Sequence, residues 1–182
     1  MVPIFNSGTR KFEKSYRPVS LTSVCCKTME RMAGSHIVEF LDSNGLLSEN
    51  QFGFRAGRSM EDQLLIFYGK IAKWMDRGFV VDVIFMDFSK AFDRVSHSLL
   101  INKLRLLGFD HDLANWIESF LVGRTMLVSV GGKLSSVRDV TSGVPQGSVL
   151  GPILFLIYAS FITKDVNSDW KAFADDYKVC IC

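Results

Sequence analysis

The spacing of apolar side chains along the chain marks out most of its elements. Val24, Met29, Met32, Ile37, Phe40 and Leu41 recur near the helical period, which predicts a helix over 23–44 with Asn44-Gly45 as its stop. Leu64, Leu65, Phe67, Ile71 and Trp74 share the apolar face of a second helix expected over 60–77, with Gly78 beyond its end. Residues 80–86 read Val-Val-Asp-Val-Ile-Phe-Met, β-branched, aromatic and nearly all apolar. That run predicts a strand in a sheet covered on at least one side, ending at Asp87. Helices are expected again over 98–107 and 110–122. Segments 125–130 and 133–140 flank Gly131-Gly132, a hairpin signal. Segments 170–174 and 177–181 predict two short apolar strands meeting at an acidic turn, Asp175-Asp176. Residues 1–15 read as irregular, and 51–58 as a loop containing glycine and arginine.

Residues 140–163 carry no charge, so the segment has to be weighed as a membrane span. Gly143, Pro145, Gln146, Gly147, Gly151 and Pro152 break its first half and leave only 153–162 as a compact apolar run. A spanning helix needs about 20 mostly apolar residues, so a buried core helix is expected instead. Mixed helices and hairpins without a clean linker indicate an α+β fold, in which any second lobe is interleaved with the first.

Composition adds constraints. With 182 residues, 48% hydrophobic and 22% charged, the chain can bury one core or two small lobes, and neither disorder nor a fibrous repeat fits. The net charge of +2 divides unevenly: residues 1–79 hold 11 Lys and Arg against 8 Asp and Glu, and residues 80–182 hold 10 against 11. The mild basic excess therefore precedes the acidic part, an asymmetry that ordinary surface charge also produces. Cys25-Cys26 and Cys180-x-Cys182 lack the spacings of zinc sites and are expected to be reduced, mostly buried thiols. Arg10, Lys11, Glu13 and Lys14 stand where a signal peptide needs an apolar core, so an intracellular protein, cytoplasmic or nuclear, is expected rather than a secreted one.

Two features call for chemistry. Asp87 ends a hydrophobic strand, and Asp175-Asp176 occupy the tip of a hydrophobic hairpin. Carboxylates gathered near buried β-structure repel one another and lose solvation, so cations that neutralise them are favoured partners. Oxygen ligands select Mg²⁺, which takes one or two carboxylates together with waters and phosphate oxygens. Two such ions can activate an attacking hydroxyl and steady the leaving oxygen of an in-line displacement. Taken singly, each aspartate also fits a turn or a helix cap, and Asp93 is expected to make a cap or a structural hydrogen bond.

The surrounding residues carry a resemblance. Met86-Asp87-Phe88-Ser89-Lys90-Ala91-Phe92-Asp93, then Ser142-Gly143-Val144-Pro145-Gln146-Gly147-Ser148-Val149-Leu150-Gly151-Pro152, then Phe173-Ala174-Asp175-Asp176 resemble three successive palm motifs of reverse transcriptases. Tyr16-Arg17-Pro18-Val19-Ser20-Leu21 and Gln51-Phe52-Gly53-Phe54-Arg55-Ala56-Gly57-Arg58-Ser59 are similar to fingers motifs of the branch found in non-LTR retrotransposons. The resemblance implies right-hand polymerase fingers and palm, residues 1–79 mainly fingers and 80–182 mainly palm with fingers elements interleaved. It implies addition of deoxynucleotides to a DNA primer 3′-OH on an RNA template, with two Mg²⁺ ions and Mn²⁺ as a substitute, and no membrane partner.

Residue roles follow from the same resemblance. Asp87 and Asp175 are implied as principal metal ligands, Asp176 completes the acidic cluster, and the Phe88 carbonyl is a further ligand candidate. Phe92 is implied to exclude a 2′-hydroxyl, though an aromatic there also suits plain core. Gln146 is implied to contact the incoming nucleotide; Arg55, and less strongly Arg58, its triphosphate; Arg17, the backbone or template. The pattern departs at Asn6-Ser7, where relatives carry a basic pair, and at Ala159-Ser160-Phe161-Ile162, where they continue with Asn-Asp and a proline turn. The sequence stops six residues past Asp176, so a thumb is expected to be absent and the isolated chain slow or inactive. The alternatives are an inert element remnant that at most binds nucleic acid, and a metal-dependent cyclase or nuclease on a similar palm.

Overall fold

The computed structural model describes residues 1–163 and 166–181. The chain forms two compact units, one made of Met1–Glu39 and Phe92–Tyr158, the other of Phe40–Ala91 and Ala159–Cys182. Each unit is built from two separate stretches of the sequence, and the stretches of the two units alternate along the chain.

In the first unit, β1 (Val2–Phe5) and β2 (Tyr16–Val19) form an antiparallel pair, Val2 facing Val19 and Phe5 facing Tyr16. Of the amino-terminal stretch expected to be irregular, Val2–Phe5 is instead strand. Its pairing partner lies inside the Tyr16–Leu21 motif, beyond the reach of local pattern. Helix α1 (Val24–Ser43) begins in this unit and crosses into the other. Its positions 30, 34, 37 and 41 lie on one face, and Glu30, Gly34, Ile37 and Leu41 are all buried. Helices α3 (His97–Leu106) and α4 (His111–Leu121) pair through Leu100, Leu104, Ile117 and Leu121, each fully buried. Ser96 and Asp110 cap them by accepting from the backbone N–H groups of Leu99 and of Asp112 and Leu113.

The Gly131-Gly132 signal yields one hairpin with a broken ladder. Ser129 and Val130 face Leu134 and Lys133 in β5 (Ser129–Val130) and β6 (Lys133–Leu134); farther out, β4 (Thr125–Met126) pairs with β7 (Arg138–Asp139). Both glycines have φ > 0, at 56° and 79°, as a two-residue turn of this kind requires. The uncharged run folds as α5 (Leu150–Ala159), with Leu150, Leu154 and Ile157 at 0% exposure. Burying each such side chain is worth about 2 kcal/mol, which explains a helix of such high apolarity inside a globule. Among the described residues no helix is long and apolar enough to cross a membrane.

The second unit carries α2 (Met60–Asp76) and an antiparallel sheet in the order β3 (Asp82–Asp87), β9 (Asp176–Ile181), β8 (Asp169–Phe173). Ser59 caps α2 by accepting from the Asp62 N–H. Trp170, Ala172 and Tyr177 form the buried side of the sheet. The expectation that β3 is covered is not met: it is an edge strand, and Ile84, Phe85 and Met86 are exposed. Apolar content located the strand, but it does not report whether a strand is central or edge. The thiols also differ from expectation. Cys25 is exposed, Cys26 half-buried and Cys180 buried, while Cys182 lies outside the described residues.

Candidate active site

Asp87, Asp175 and Asp176 all belong to the second unit. Asp87 is the last residue of β3 and Asp176 the first of β9, and the ladder places them directly opposite each other. Cross-strand partners project from the same face, so two exposed carboxylates stand side by side at one end of the sheet. Phe173 also faces Asp176, which leaves Ala174 and half-buried Asp175 as the two residues of the β8–β9 turn. Ala174 has φ 56°, a position that glycine usually takes.

A buried scaffold holds this turn. The Gln51 Nε2 donates to the Ala174 carbonyl at 3.1 Å, and its Oε1 accepts from the Ala174 N–H at 2.9 Å and from the Gly53 N–H at 2.9 Å. Phe52 N–H donates to the Ala172 carbonyl, and Ala172 N–H to the Asn50 carbonyl, so residues 50–52 lie along β8 as a short parallel addition. A Cβ on Gly53 would run into the Ala174 backbone nitrogen. Beneath the acids, Tyr177 is 3% exposed, and its hydroxyl is pushed up to about 12, first by burial and then by the Asp175 carboxylate. The Phe88 ring meets Tyr177 edge-on at 5.4 Å, and the Phe88 carbonyl accepts from the Ala91 N–H at 3.2 Å. Lys178 donates to the fully buried Gln63 Oε1 at 2.7 Å; burial lowers its ammonium pKa, and Asp176 partly opposes that shift.

Arg55 and Arg58 are anchored close to home. Arg55 donates to the Ser48 carbonyl at 2.9 Å and pairs with Asp42 at 3.3 Å and Glu49 at 3.8 Å. Arg58 donates to the Glu49 carbonyl at 2.6 Å, pairs with the Glu49 carboxylate, and lies over the Phe52 ring. The Arg58 guanidinium also holds the Glu49 carboxyl below its ordinary range. Arg17 is exposed in β2, opposite Ile4.

Phe92 and Gln146 belong to the first unit. The Phe92 ring is half-buried and stacks on Phe155 at 4.9 Å, and its carbonyl accepts from the Val144 N–H. Gln146 Nε2 donates to Asp93 Oδ1 at 3.1 Å, the structural hydrogen bond expected of Asp93, and its carbonyl accepts from the Ser20 N–H at 2.8 Å. The loop around Gln146 is fastened at three further points. The Gly143 carbonyl accepts from Arg124 Nη2 at 2.7 Å and from His97 Nε2 at 2.8 Å, and since a carbonyl cannot donate, that ring nitrogen carries the proton. Gly143 has φ 87°, and a Cβ there would press on the Asp93 backbone. Fully buried Glu30 accepts from the Val149 and Leu150 N–H groups at 2.7 and 3.0 Å, supplying the acceptor that the start of α5 needs.

Sequence reasoning missed Gln51, Glu30, His97 and Arg124. Glu30 had a readable signal, a charge on the apolar face shared with Ile37 and Leu41. Gln51 lay inside a quoted motif with nothing local to separate it from a loop residue.

Among the described residues no three His, Cys, Asp or Glu side chains gather into a metal-holding set. The expected three-aspartate cluster is thus a facing pair, Asp87 and Asp176, with Asp175 at the adjoining turn. The pair is oxygen-only and its members are exposed, which suits a hard cation that completes its shell from water and phosphate.

The architecture defines the class first. The chain aligns with telomerase from Candida albicans in complex with a fragment of telomeric RNA, with TM-score 0.60 and 13% identity over 84% of this chain and 30% of that one. It aligns equally with apo telomerase from Candida tropicalis truncated from the C-terminal domain, with TM-score 0.59 and 14% identity over 85% and 34%. At such identity the likeness concerns the fold alone, that of polymerase fingers and palm. Residues 9–182 match the model of the reverse transcriptase (RNA-dependent DNA polymerase) family, and the chain belongs to that family. It is 36% identical over 172 residues to a probable RNA-directed DNA polymerase from transposon X-element of Drosophila melanogaster, covering 92% of this chain and 19% of the relative. It is 38% identical over 146 residues to the RNA-directed DNA polymerase from mobile element jockey of the same species, covering 80% and 16%. The chain therefore spans less than a fifth of the length of these curated relatives.

Proposed function

We propose that this chain is the fingers-and-palm core of an RNA-directed DNA polymerase of a non-LTR retrotransposon, adding deoxynucleotides to a DNA primer 3′-OH on an RNA template. The observation that carries the reading is the register of Asp87 against Asp176, with Asp175 in the next turn. The register pairs two of the three palm motifs that carry part of the resemblance. Asp87, Asp175 and Asp176 would hold two Mg²⁺ ions, or Mn²⁺ in their place, with the Phe88 carbonyl as an additional oxygen. When bound, the ions supply charge stabilisation for the attacking 3′-oxygen and the departing pyrophosphate.

The remaining roles belong to the chain's own residues. Arg55 and Arg58 are the cations for the triphosphate; their partners Asp42 and Glu49 sit on exposed surface and exchange readily for phosphate oxygens. Gln146 is fixed by Asp93 and by Ser20, which presents its loop to the incoming nucleotide in one conformation. Phe92, braced by Phe155, is a rigid wall against a 2′-hydroxyl. Residues 1–79 are assigned mainly to fingers and 80–182 mainly to palm.

Primer extension on an RNA template with Mg²⁺ tests the reading. The parent chain is expected to extend the primer slowly, and Asp87→Asn to lower that rate by about a thousandfold or more, since an amide binds Mg²⁺ poorly and positioning accounts for most of such catalysis. Salt-dependent binding of an RNA–DNA hybrid without any extension would support the inert remnant instead.

A further inference from the structure

We propose that Gln51 is a positioning residue for the acidic turn, its side-chain amide standing in for a missing strand neighbour of Ala174 and so fixing the direction of Asp175 and Asp176. Its role in the reaction rests on the polymerase reading above; its hold on the turn does not.

A β-hairpin turn has no ladder of its own, and the peptide groups of its two loop residues normally turn to water. At Ala174 both groups are instead taken by one side chain that is 7% exposed. The primary amide of Gln51 turns one N–H donor and its oxygen acceptor to the same side, the pair that a neighbouring strand residue offers, and both are used on the same residue, at 3.1 and 2.9 Å. The acceptor is used a second time by the Gly53 N–H, which fixes the amide's orientation against rotation. Gly53 itself lies so close to the Ala174 backbone that a side chain there has no room.

This clamp acts where it is most needed. Ala174 holds φ 56°, a left-handed conformation that crowds an alanine's Cβ against the backbone, so the turn is not self-supporting. Asp175 and Asp176 follow it directly. The three hydrogen bonds, made by one buried side chain, hold one turn conformation over its alternatives. Side chains that orient metal-binding groups from behind are commonly worth about 10- to 100-fold in metal affinity or rate.

The test compares Gln51→Met, which keeps the volume and removes all three bonds, with Gln51→Glu, which keeps the acceptor for the Ala174 and Gly53 N–H groups and loses the donor. Amide hydrogen exchange is followed over 173–177, Mn²⁺ affinity is measured by the electron spin resonance of the free ion, and kcat and KM are taken from primer extension. In Gln51→Met, exchange at Ala174 and Asp175 is expected to rise about tenfold or more, with the rest of the sheet unchanged. Mn²⁺ affinity should fall about tenfold and kcat fall with little change in KM for the nucleotide. Gln51→Glu should keep the Ala174 amide close to its parental protection. If the parent chain neither binds Mn²⁺ nor extends a primer, the polymerase reading fails while the exchange data still decide the clamp. Unchanged exchange in a folded Gln51→Met overturns the proposal, and so does loss of folding in both variants, which would make Gln51 a stability residue only.

Discussion

The two units solve the same backbone problem differently. In the first, every described residue with φ between +50° and +90° is a glycine, from Gly8 through Gly108, Gly123, Gly131 and Gly132 to Gly143 and Gly147. In the second, glycines at 45, 57 and 78 share that region with Phe54, Lys90 and Ala174, at φ 57°, 56° and 56°. Those three lie one in each of three motifs, those of Arg55, of Asp87 and of Asp175. A non-glycine residue in this region costs about 1–2 kcal/mol, and strained residues persist only where their surroundings over-determine them. The first unit thus shapes its loop with residues that accept any conformation and then ties it with Glu30, His97 and Arg124. The second stores strain beside its carboxylates.

The contrast breaks first at the two glycines whose missing Cβ makes room. Gly53→Ala is expected to destabilise the protein by about 3 kcal/mol, because the added methyl meets the Ala174 backbone, which is hydrogen-bonded and cannot give way. Gly143→Ala adds the left-handed penalty to a similar clash with Asp93 and should cost at least as much. For a chain of this size about 3 kcal/mol corresponds to roughly 10 °C in Tm, readable by calorimetry. A Gly53→Ala protein melting within about 2 °C of the parent would show that the 50–53 segment stands away from the turn.

How far the sequence announced this arrangement depends on the kind of interaction. Helices α1 to α5 were legible to within two or three residues because one apolar stripe per helix repeats locally; the 80–87 strand and the acidic hairpin were legible from their β-branched and aromatic content. The β1 strand was not, since its partner lies eleven or more residues away and local pattern carries no pairing information. The candidate acids were found because three carboxylates next to apolar strands are costly without a purpose. Their supports escaped notice. Gln51 acts on residue 174, and Glu30 on residues 149 and 150, and contacts over such separations leave no local periodicity.

A smaller effect tests the electrostatics around the acids. Tyr177 holds its proton up to about pH 12 in the folded state against about 10 when unfolded. Below pH 10 both states are protonated and the contribution is complete. As pH rises from 10 towards 12 the unfolded chain loses the proton first, so stability falls, by about 3 kcal/mol at most. Urea unfolding at pH 8, 10 and 11 should show the parent losing more stability than Tyr177→Phe across that window. Asp175→Asn should retain most of the loss, because burial is the larger cause and the Asp175 charge the smaller. Equal pH profiles for parent and Tyr177→Phe would remove Tyr177 from beneath the acidic turn.

The smallest expected change sharpens the contrast best, because it separates strain from packing. Lys90 is exposed at φ 56°, so nothing buried is lost on replacing it. Glycine there relieves the crowding of Cβ against the backbone, about 1 kcal/mol, and returns part of the gain as extra freedom of the unfolded chain. Lys90→Gly is therefore expected to stabilise by about 0.5 kcal/mol, measurable as a shift in the urea midpoint with unchanged slope. The same change placed at Ala174 is expected to gain less, since its peptide groups are already held by Gln51 and a freer residue adds alternatives the clamp must exclude. If Lys90→Gly destabilises instead, the left-handed residues of the second unit are held by contacts rather than strained against them, and the difference between the units is one of composition, not of stored energy.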